Sequence, residues 1–264
     1  MPKKKTLLFS LQRKGSSLTH FLFGTMHSRN EGAYIHSKLA IKYIHQAEVY
    51  FAEINLSDTG SLNMSDYFLL PDSTTLQSLY SEKHFSRMQK ILLKSCKIDL
   101  RQFERFLPFY IQTMIGEFVL KADNRLPLDY YLWEKAMKAG KKMSGVESLE
   151  EQIKILQQIP VHAQARSLKH LSENTAKFRK TINKLNKAYE KADIFSLYKI
   201  TSKQLGALRN LLLTDRNIRM TRIIIDHLTD EPSFFAVGAA HLAGRSGIIH
   251  LLKEGGYVVK PVEN

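Results

Sequence analysis

The sequence predicts an α/β fold: a central mixed, mostly parallel sheet built from two βαβ-type units at the chain ends, with a large helical insertion between them. Two observations carry this expectation. The C-terminal stretch FFAVGAAHLAGRSGIIHLLKEGGYVV reads as strand, GxxH turn, loop, helix and strand: Phe234–Val237 is an apolar run of strand length, and Gly255 and Gly256 end the helix before Tyr257–Val259. The same succession stands near the start. Phe21–Phe23 leads into Gly24, Thr25, Met26 and His27, a helix is predicted from Tyr34 to Gln46, and Val49–Ile54 is the return strand. A shift of 214 residues (238 minus 24) superposes Gly24 on Gly238 and His27 on His241, and also aligns Ile35 with Ile249 and His36 with His250. In such units parallel strands point the same way, so residues just past them collect along one edge of the sheet, where open α/β sheets bind ligands.

Taken in order, Leu7–Gln12 is an opening strand. The lysines before it and its apolar character resemble a leader, but Gln12, Arg13 and Lys14 break the run early and no small-residue cleavage site follows. With no apolar stretch of membrane-spanning length, the expected location is cytoplasmic and no transmembrane segment is predicted. After the first unit, Asn55–Ser65 is polar and turn-forming. Helical periodicity then begins: Leu76, Leu79 and Tyr80 after a cap at Pro71–Ser73; Lys83–Ser95 with Met88, Ile91 and Leu92 on one face; and Leu100–Lys121, kinked or divided by Pro108. Leu126–Ala139 is the next helix, with Pro127 and Asp129 at its start, and Gly140 ends it before a strand Lys141–Val146 leading to Glu147. Glu151–Ile159 is a helix stopped by Pro160. A basic helical stretch from Val161 to Ala192 follows, then Ile194–Ile200, Leu205–Leu213 and a last helix Thr214–Leu228. No linker composition separates independent domains, so 1–264 is expected as one α/β domain. Its sheet core is 1–56, 126–150 and 230–264, and its helical insertion or lid is 60–125 and 151–229.

Composition bounds the function classes. A chain of 264 residues with 44% hydrophobic and 24% charged residues buries a substantial core and is not of disordered type. The single cysteine, Cys96, excludes an internal disulfide and a cysteine-rich zinc site, and reads as a buried apolar residue on a helix. The net charge of +14 is concentrated between Arg166 and Arg222. Without a helix-turn-helix, zinc-finger, RNP or KH signature this reads as a solvated helical face, not a specific nucleic-acid site; attraction to acidic substrates or an anionic surface stays open.

Of ten histidines, His27 and His241 stand out because they share a motif, a spacing and a predicted sheet edge. His36 and His250 also repeat, but on helices, and read as structural. Glu53 lies in the apolar strand YFAEIN, where a carboxylate needs a metal, a cation or a hydrogen-bond donor. Glu147 occupies the matching place after KKMSGV. Two imidazoles and a carboxylate can hold a divalent ion that activates water; without a metal, one imidazole serves as general base while the other stabilises developing charge. In LLTDRNIRM, Asp215 is positioned to cap the last helix, and Arg216 to bind a substrate carboxylate, to orient Glu53 or Glu147, or to form a surface ion pair.

FLFGTMH with downstream AEIN, LPLDYYLWEKAMKAGKKMSGVES, LLTDRNIRM and FFAVGAAHLAGRSGIIHLLKEGGYVVKPV together resemble the TraB, PrgY and GumN family, related to the Tiki proteases and to the erythromycin esterase and ChaN-like fold. The resemblance implies an α/β core with a helical insertion and a hydrolase-like site. The paired GxxH histidines would be His27 and His241, Glu53 the acid after the second strand, and Glu147, Arg216 and Asn217 the GVE and RN positions. Tiki-like members are metal-dependent peptidases, esterase-like relatives work without metal, and ChaN-like relatives bind haem iron. Many relatives carry a secretion signal or membrane anchor that is not seen here. The expectation is therefore a hydrolase of amide bonds using a divalent metal (Mn, Co or Zn) held by His27, His241 and Glu53. In it Glu147 supports the site, Arg216 and Asn217 position a peptide or small-molecule substrate, and the oligomeric state is open. A metal-free esterase-like hydrolase, or a ligand- or haem-binding protein using the same cleft, is the alternative.

Overall fold

Six strands of apolar sequence assemble into one sheet in the computed structural model, which describes residues 5–59, 67–228 and 231–262. They are β1 (Leu8–Arg13), β2 (His20–Thr25), β3 (Val49–Ile54), β4 (Lys142–Glu147), β5 (Ser233–Gly238) and β6 (Tyr257–Pro261), in spatial order β4-β3-β5-β2-β1-β6. Neighbours among β4, β3, β5 and β2 pair in parallel, whereas β1 is antiparallel to both β2 and β6. The α/β class and the mostly parallel sheet are thus as the sequence predicts.

The two βαβ units interleave. The return strand β3 is not beside β2, because β5 inserts between them, and β6 lies beyond β1 at the far edge. The GxxH strands β2 and β5 are therefore direct neighbours, with Gly24 opposite Val237 and Thr25 opposite Gly238. Every residue of β2 is buried, and the central strands stack Tyr50 on Phe234 with ring planes 9° apart. Burying side chains of this size stabilises by roughly 1.5–3 kcal/mol each, which sets the register of the whole edge.

Gly24 owes its identity to the other copy of the motif. A Cβ there would stand 2.8 Å from Leu242 Cδ1 and 2.9 Å from Ala239 Cβ, in the turn that carries His241. Only a residue without a side chain lets the second turn close over the first strand.

The helices are α1 (Glu31–Tyr34), α2 (Ser37–Ile44), α3 (Glu82–Cys96), α4 (Pro108–Val119), α5 (Leu128–Lys138), α6 (Leu149–Gln157), α7 (Val161–Glu173), α8 (Thr175–Glu190), α9 (Ile194–Leu205), α10 (Asp215–Asp226) and α11 (Ile248–Glu254). The helix expected from Tyr34 to Gln46 is two. Asn30 accepts from the Gly32 N–H and starts α1 early, and the His36 ring donates to the Glu190 carbonyl at 3.1 Å across the break before α2. Of Leu76, Leu79 and Tyr80, only Leu79 lies in a short 3₁₀ turn, Gln77–Leu79, which the other two flank; there is no α-helix here. Pro108 divides the next run by starting α4, where its missing N–H costs no helical bond. The basic stretch breaks at Asn174 into α7 and α8. Asp215 does not cap α10: the preceding Thr214 is already helical, because a π-helical turn, Asn210–Thr214, runs straight into it. The predicted loop Asn55–Ser65 lies partly outside the described residues and opens with a 3₁₀ turn, Leu56–Thr59.

The described residues group into two compact units. One holds those of Met1–Gly60, Ala122–Gln152 and Leu185–Asn264, with the whole sheet; the other holds those of Ser61–Lys121 and Ile153–Lys184. Residues 185–228, which the pattern alone joins to the insertion, thus group with the sheet. The helical unit packs α3, α4 and α7 around Met88, Leu92, Ile111, Ile115 and Leu168, and Cys96 is buried there on α3. Among the described residues no helix is long and apolar enough to cross a membrane.

Candidate functional site

The carboxyl ends of β4, β3, β5 and β2 are consecutive along one edge, and each delivers a polar residue: Glu147, Glu53, His241 just past Gly238, and His27 just past Thr25. Four residues separated by up to 214 positions are brought to this edge by pairing alone.

Arg216, in the first turn of α10, joins the two acids. Its Nη2 donates to Glu53 Oε1 and to Glu147 Oε2, each at 2.5 Å, and its Nε donates to both oxygens of Glu147 at 3.2 and 3.1 Å. Gln152, on α6, donates from Nε2 to Glu53 Oε1 at 3.2 Å and to Glu147 Oε2 at 3.1 Å. The Glu147 side chain is 2% exposed, that of Arg216 14% and that of Glu53 28%, so Glu53 is the carboxylate that faces the opening. Its other oxygen, Oε2, accepts from the Gly238 N–H at 2.9 Å.

Gly238 is the hinge of the site. A Cβ on it would stand 3.2 Å from Glu53 Oε2, 3.3 Å from His241 Cδ2 and 4.0 Å from His241 Nε2, so acid and imidazole flank the same bare backbone. His241 is buried. Its Nδ1 lies 2.5 Å from Asn217 Oδ1, and Asn217 Nδ2 donates to the Ser246 carbonyl at 2.7 Å. A carbonyl only accepts, which fixes the orientation of the Asn217 amide; the amide oxygen then requires a proton on Nδ1 of His241 and leaves the lone pair on Nε2. His27 Nδ1 stands 2.8 Å from Asp129 Oδ2, an acceptor, which places a proton on Nδ1 there too. Both imidazoles therefore turn Nε2 away from the group that orients them.

Burial alone would raise the Glu53 carboxyl, but the Arg216 charge, His241, the Arg216 hydrogen bond and the Gly238 N–H outweigh it and hold it down to about 2. His241 is pushed down to about 4, chiefly by burial, with Glu53 opposing and Arg216 adding. Burial would lower the Arg216 guanidinium, yet the two carboxylates raise it. Both depressed groups destabilise the fold in acid. The contribution of His241 is complete above 6.5 and disappears as pH falls through about 4, and that of Glu53 is complete above 4.5 and disappears toward about 2. Each is on the order of 3 kcal/mol. Urea titrations at stepped pH should show stability already falling between pH 6.5 and 4; a flat profile across that window would contradict the burial of a neutral imidazole.

The sequence expectations for Arg216 resolve to its orienting alternative: it binds both acids. Asn217, expected to contact substrate, is fully buried with both ends of its amide engaged by His241 and Ser246. His27 is more open, its side chain 46% exposed. Two residues were missed. Asp129 reads in sequence only as an acid in the first turn of α5, because the histidine it orients is 102 residues away. Gln152 carries no signal beyond its place on α6 shortly after Glu147.

Among the described residues no three His, Cys, Asp or Glu side chains are gathered closely enough to hold a metal ion. The donor chemistry nevertheless suits one: two carboxylates share a single guanidinium, leaving a formal negative charge, and His241 directs an unprotonated Nε2 to the same side as Glu53.

The sequence model of the TraB/PrgY/gumN family matches residues 7–261. Similar curated proteins include a "Metalloprotease TIKI homolog" of Nematostella vectensis, 24% identical over 81% of this chain and 58% of that protein. They also include "Metalloprotease TIKI2" of Xenopus tropicalis (24%, 91% of this chain, 57% of that protein) and of Danio rerio (23%, 97% and 60%). The chain thus spans less than two thirds of the length of these relatives. No solved structure is a significant match.

Proposed function

The chain belongs to the TraB/PrgY/gumN family, and on that premise we propose that it is a peptidase-like hydrolase whose site is the strand-end edge carrying His27, Glu53 and His241. The observation that carries this is the shared orientation: two imidazoles following neighbouring strand ends each have Nδ1 anchored by an oxygen acceptor, which turns Nε2 the other way. The metalloprotease names of the Tiki relatives support the reaction class and a metal. To hold a divalent ion, Mn, Co or Zn, the side chains of His27, His241 and Glu53 would have to close in around it from where they stand, and the ion would then supply a water acidic enough to ionise near neutral pH.

The remaining work falls to the chain's own groups. Glu53, held ionised and fixed at both oxygens, is aimed by Arg216, Gln152 and the Gly238 N–H, so its carboxylate does not reorganise during the reaction. Glu147 keeps Arg216 in place from behind, where its own burial excludes water. Asn217 and Asp129 act through the imidazoles, fixing which nitrogen can take a proton or donate a lone pair. The Gly238 backbone leaves space between Glu53 and His241 for the attacking water or the scissile carbonyl.

Protein purified without a metal-affinity tag should carry a divalent ion by elemental analysis and cleave members of a peptide library. Exhaustive chelation should abolish turnover and re-addition of Mn, Co or Zn should restore it. Full activity after chelation would replace this reading by metal-free, esterase-like hydrolysis; no cleavage across peptide and ester panels would end the enzymatic one.

A further inference from the structure

Beside the site, α9, the π-helical turn Asn210–Thr214, the start of α10 and the loop before α11 enclose a cleft of about 630 Å³. Two arginines line it: Arg209, at the mouth of the π turn, and Arg245, in the loop. No Asp or Glu lines the cleft, and neither guanidinium has an ion-pair or hydrogen-bond partner among the described residues. Thr214 and Ser246 add polar groups to the wall, while Tyr198 and Ile218 give it apolar surface. Two exposed like charges set into one concavity without a counter-charge make a positive potential that a ligand is needed to neutralise. The planar fork of each guanidinium matches a carboxylate in two-bond geometry. π turns interrupting helices recur at functional sites, and this one begins directly after Arg209, with its own Asn210 and Thr214 also lining the cleft.

The cleft is tied to the catalytic edge. Ser246 forms part of its wall, and the Ser246 carbonyl takes the Asn217 hydrogen bond that sets the His241 tautomer. Thr214 and Ile218 of the wall bracket Arg216 and Asn217 on the same stretch of chain. We propose that this cleft is a recognition subsite for an acidic peptide segment, in which Arg209 and Arg245 bind side-chain carboxylates while the apolar wall covers the intervening chain. That it feeds the hydrolytic site rests on the function proposed above; that it binds carboxylates does not.

The test is therefore a binding measurement with the full chain and needs no turnover. A fluorescently labelled tetrapeptide of glutamates is compared with its glutamine counterpart by polarisation at low and physiological salt. The acidic probe should bind at least roughly tenfold more tightly. Arg209→Gln and Arg245→Gln should each remove most of that preference, whereas His241→Ala, which lies outside the cleft lining, should leave it intact. Absence of peptide cleavage by the unmutated protein, with the preference present, would overturn the hydrolase reading and keep the subsite. Equal binding of the two peptides, or a preference unmoved by both arginine variants, would overturn the subsite itself. Inorganic phosphate distinguishes the remaining source of negative charge: saturation by phosphate with no binding of the acidic peptide would make this a small-anion site and overturn the peptide assignment.

Discussion

Arg216→Met is expected to lower folding stability at neutral pH by about 3–5 kcal/mol, the range for leaving a buried charge without its partner. Arg216 is the cation shared by Glu53 and Glu147, and Glu147 is 2% exposed, so water cannot replace the guanidinium. Gln152 remains, but a neutral amide that already donates to both acids supplies no charge. Methionine fills a similar volume, which isolates the electrostatic loss from a packing loss. Arg216→Lys should fall between wild type and Arg216→Met, since an ammonium keeps the charge and loses the fork that engages two carboxylates at once. Adding Glu147→Gln to Arg216→Met should recover stability, because it removes the stranded carboxylate. Urea denaturation of the four proteins decides this. A loss under about 1 kcal/mol for Arg216→Met, as for exposed pairs, would mean that solvent reaches the cluster, and a further loss on adding Glu147→Gln would mean that the glutamate is held by something other than Arg216.

The edge of this sheet was legible in sequence because each strand is a short apolar run with turn residues at its ends, and because the two GxxH units repeat. From Phe21–Phe23 and Phe234–Val237 one can infer two parallel strands whose following histidines share an edge. The interleaving, with β5 placed between β2 and β3, was not legible: nothing in the repeat says which strand its copy will sit beside. That placement gives Gly24 its meaning, since the neighbour it accommodates is Ala239 and Leu242 from the far end of the chain. Arg216 could be assigned to the acids as one option among three, because a charge in an apolar neighbourhood must be answered by another. Asn217 could not, because whether an amide faces a substrate or buttresses a histidine depends on burial, and the residue beside it, Arg216, points elsewhere. Helix breaks at His36 and Asn174 escaped for a related reason. Apolar periodicity runs through them, and the bonds at the breaks, from the His36 ring to Glu190 and from Asn174 to the His170 carbonyl, are made by side chains.

The proposal that His27 and His241 serve one reacting centre predicts non-additivity. Alone, His27→Ala and His241→Ala should each reduce kcat/KM by roughly 10³-fold or more, in the range seen when one member of a cooperating catalytic set is removed. The double variant should then be little worse than either single one, because the second imidazole has no remaining function once its partner is gone. The structural grounds are independent of any bound group. β2 and β5 are paired in parallel, the two motif turns leave the same end of adjacent strands, and each ring is anchored through Nδ1 to an oxygen acceptor, which turns Nε2 the other way. Burial separates the two cases in stability: His241 is buried and bonded to Asn217, whereas His27 is about half exposed, so His27→Ala should keep near wild-type stability and His241→Ala should lose some through a cavity beside Asn217. His241→Asn, a smaller polar replacement, serves as control for that loss. Losses that multiply, so that the double variant falls to roughly 10⁶-fold below wild type, would assign the histidines to separate steps or separate sites. A His27→Ala protein with full activity would remove it from the chemistry and leave Glu53 and His241, flanking Gly238, as the whole of the reacting centre.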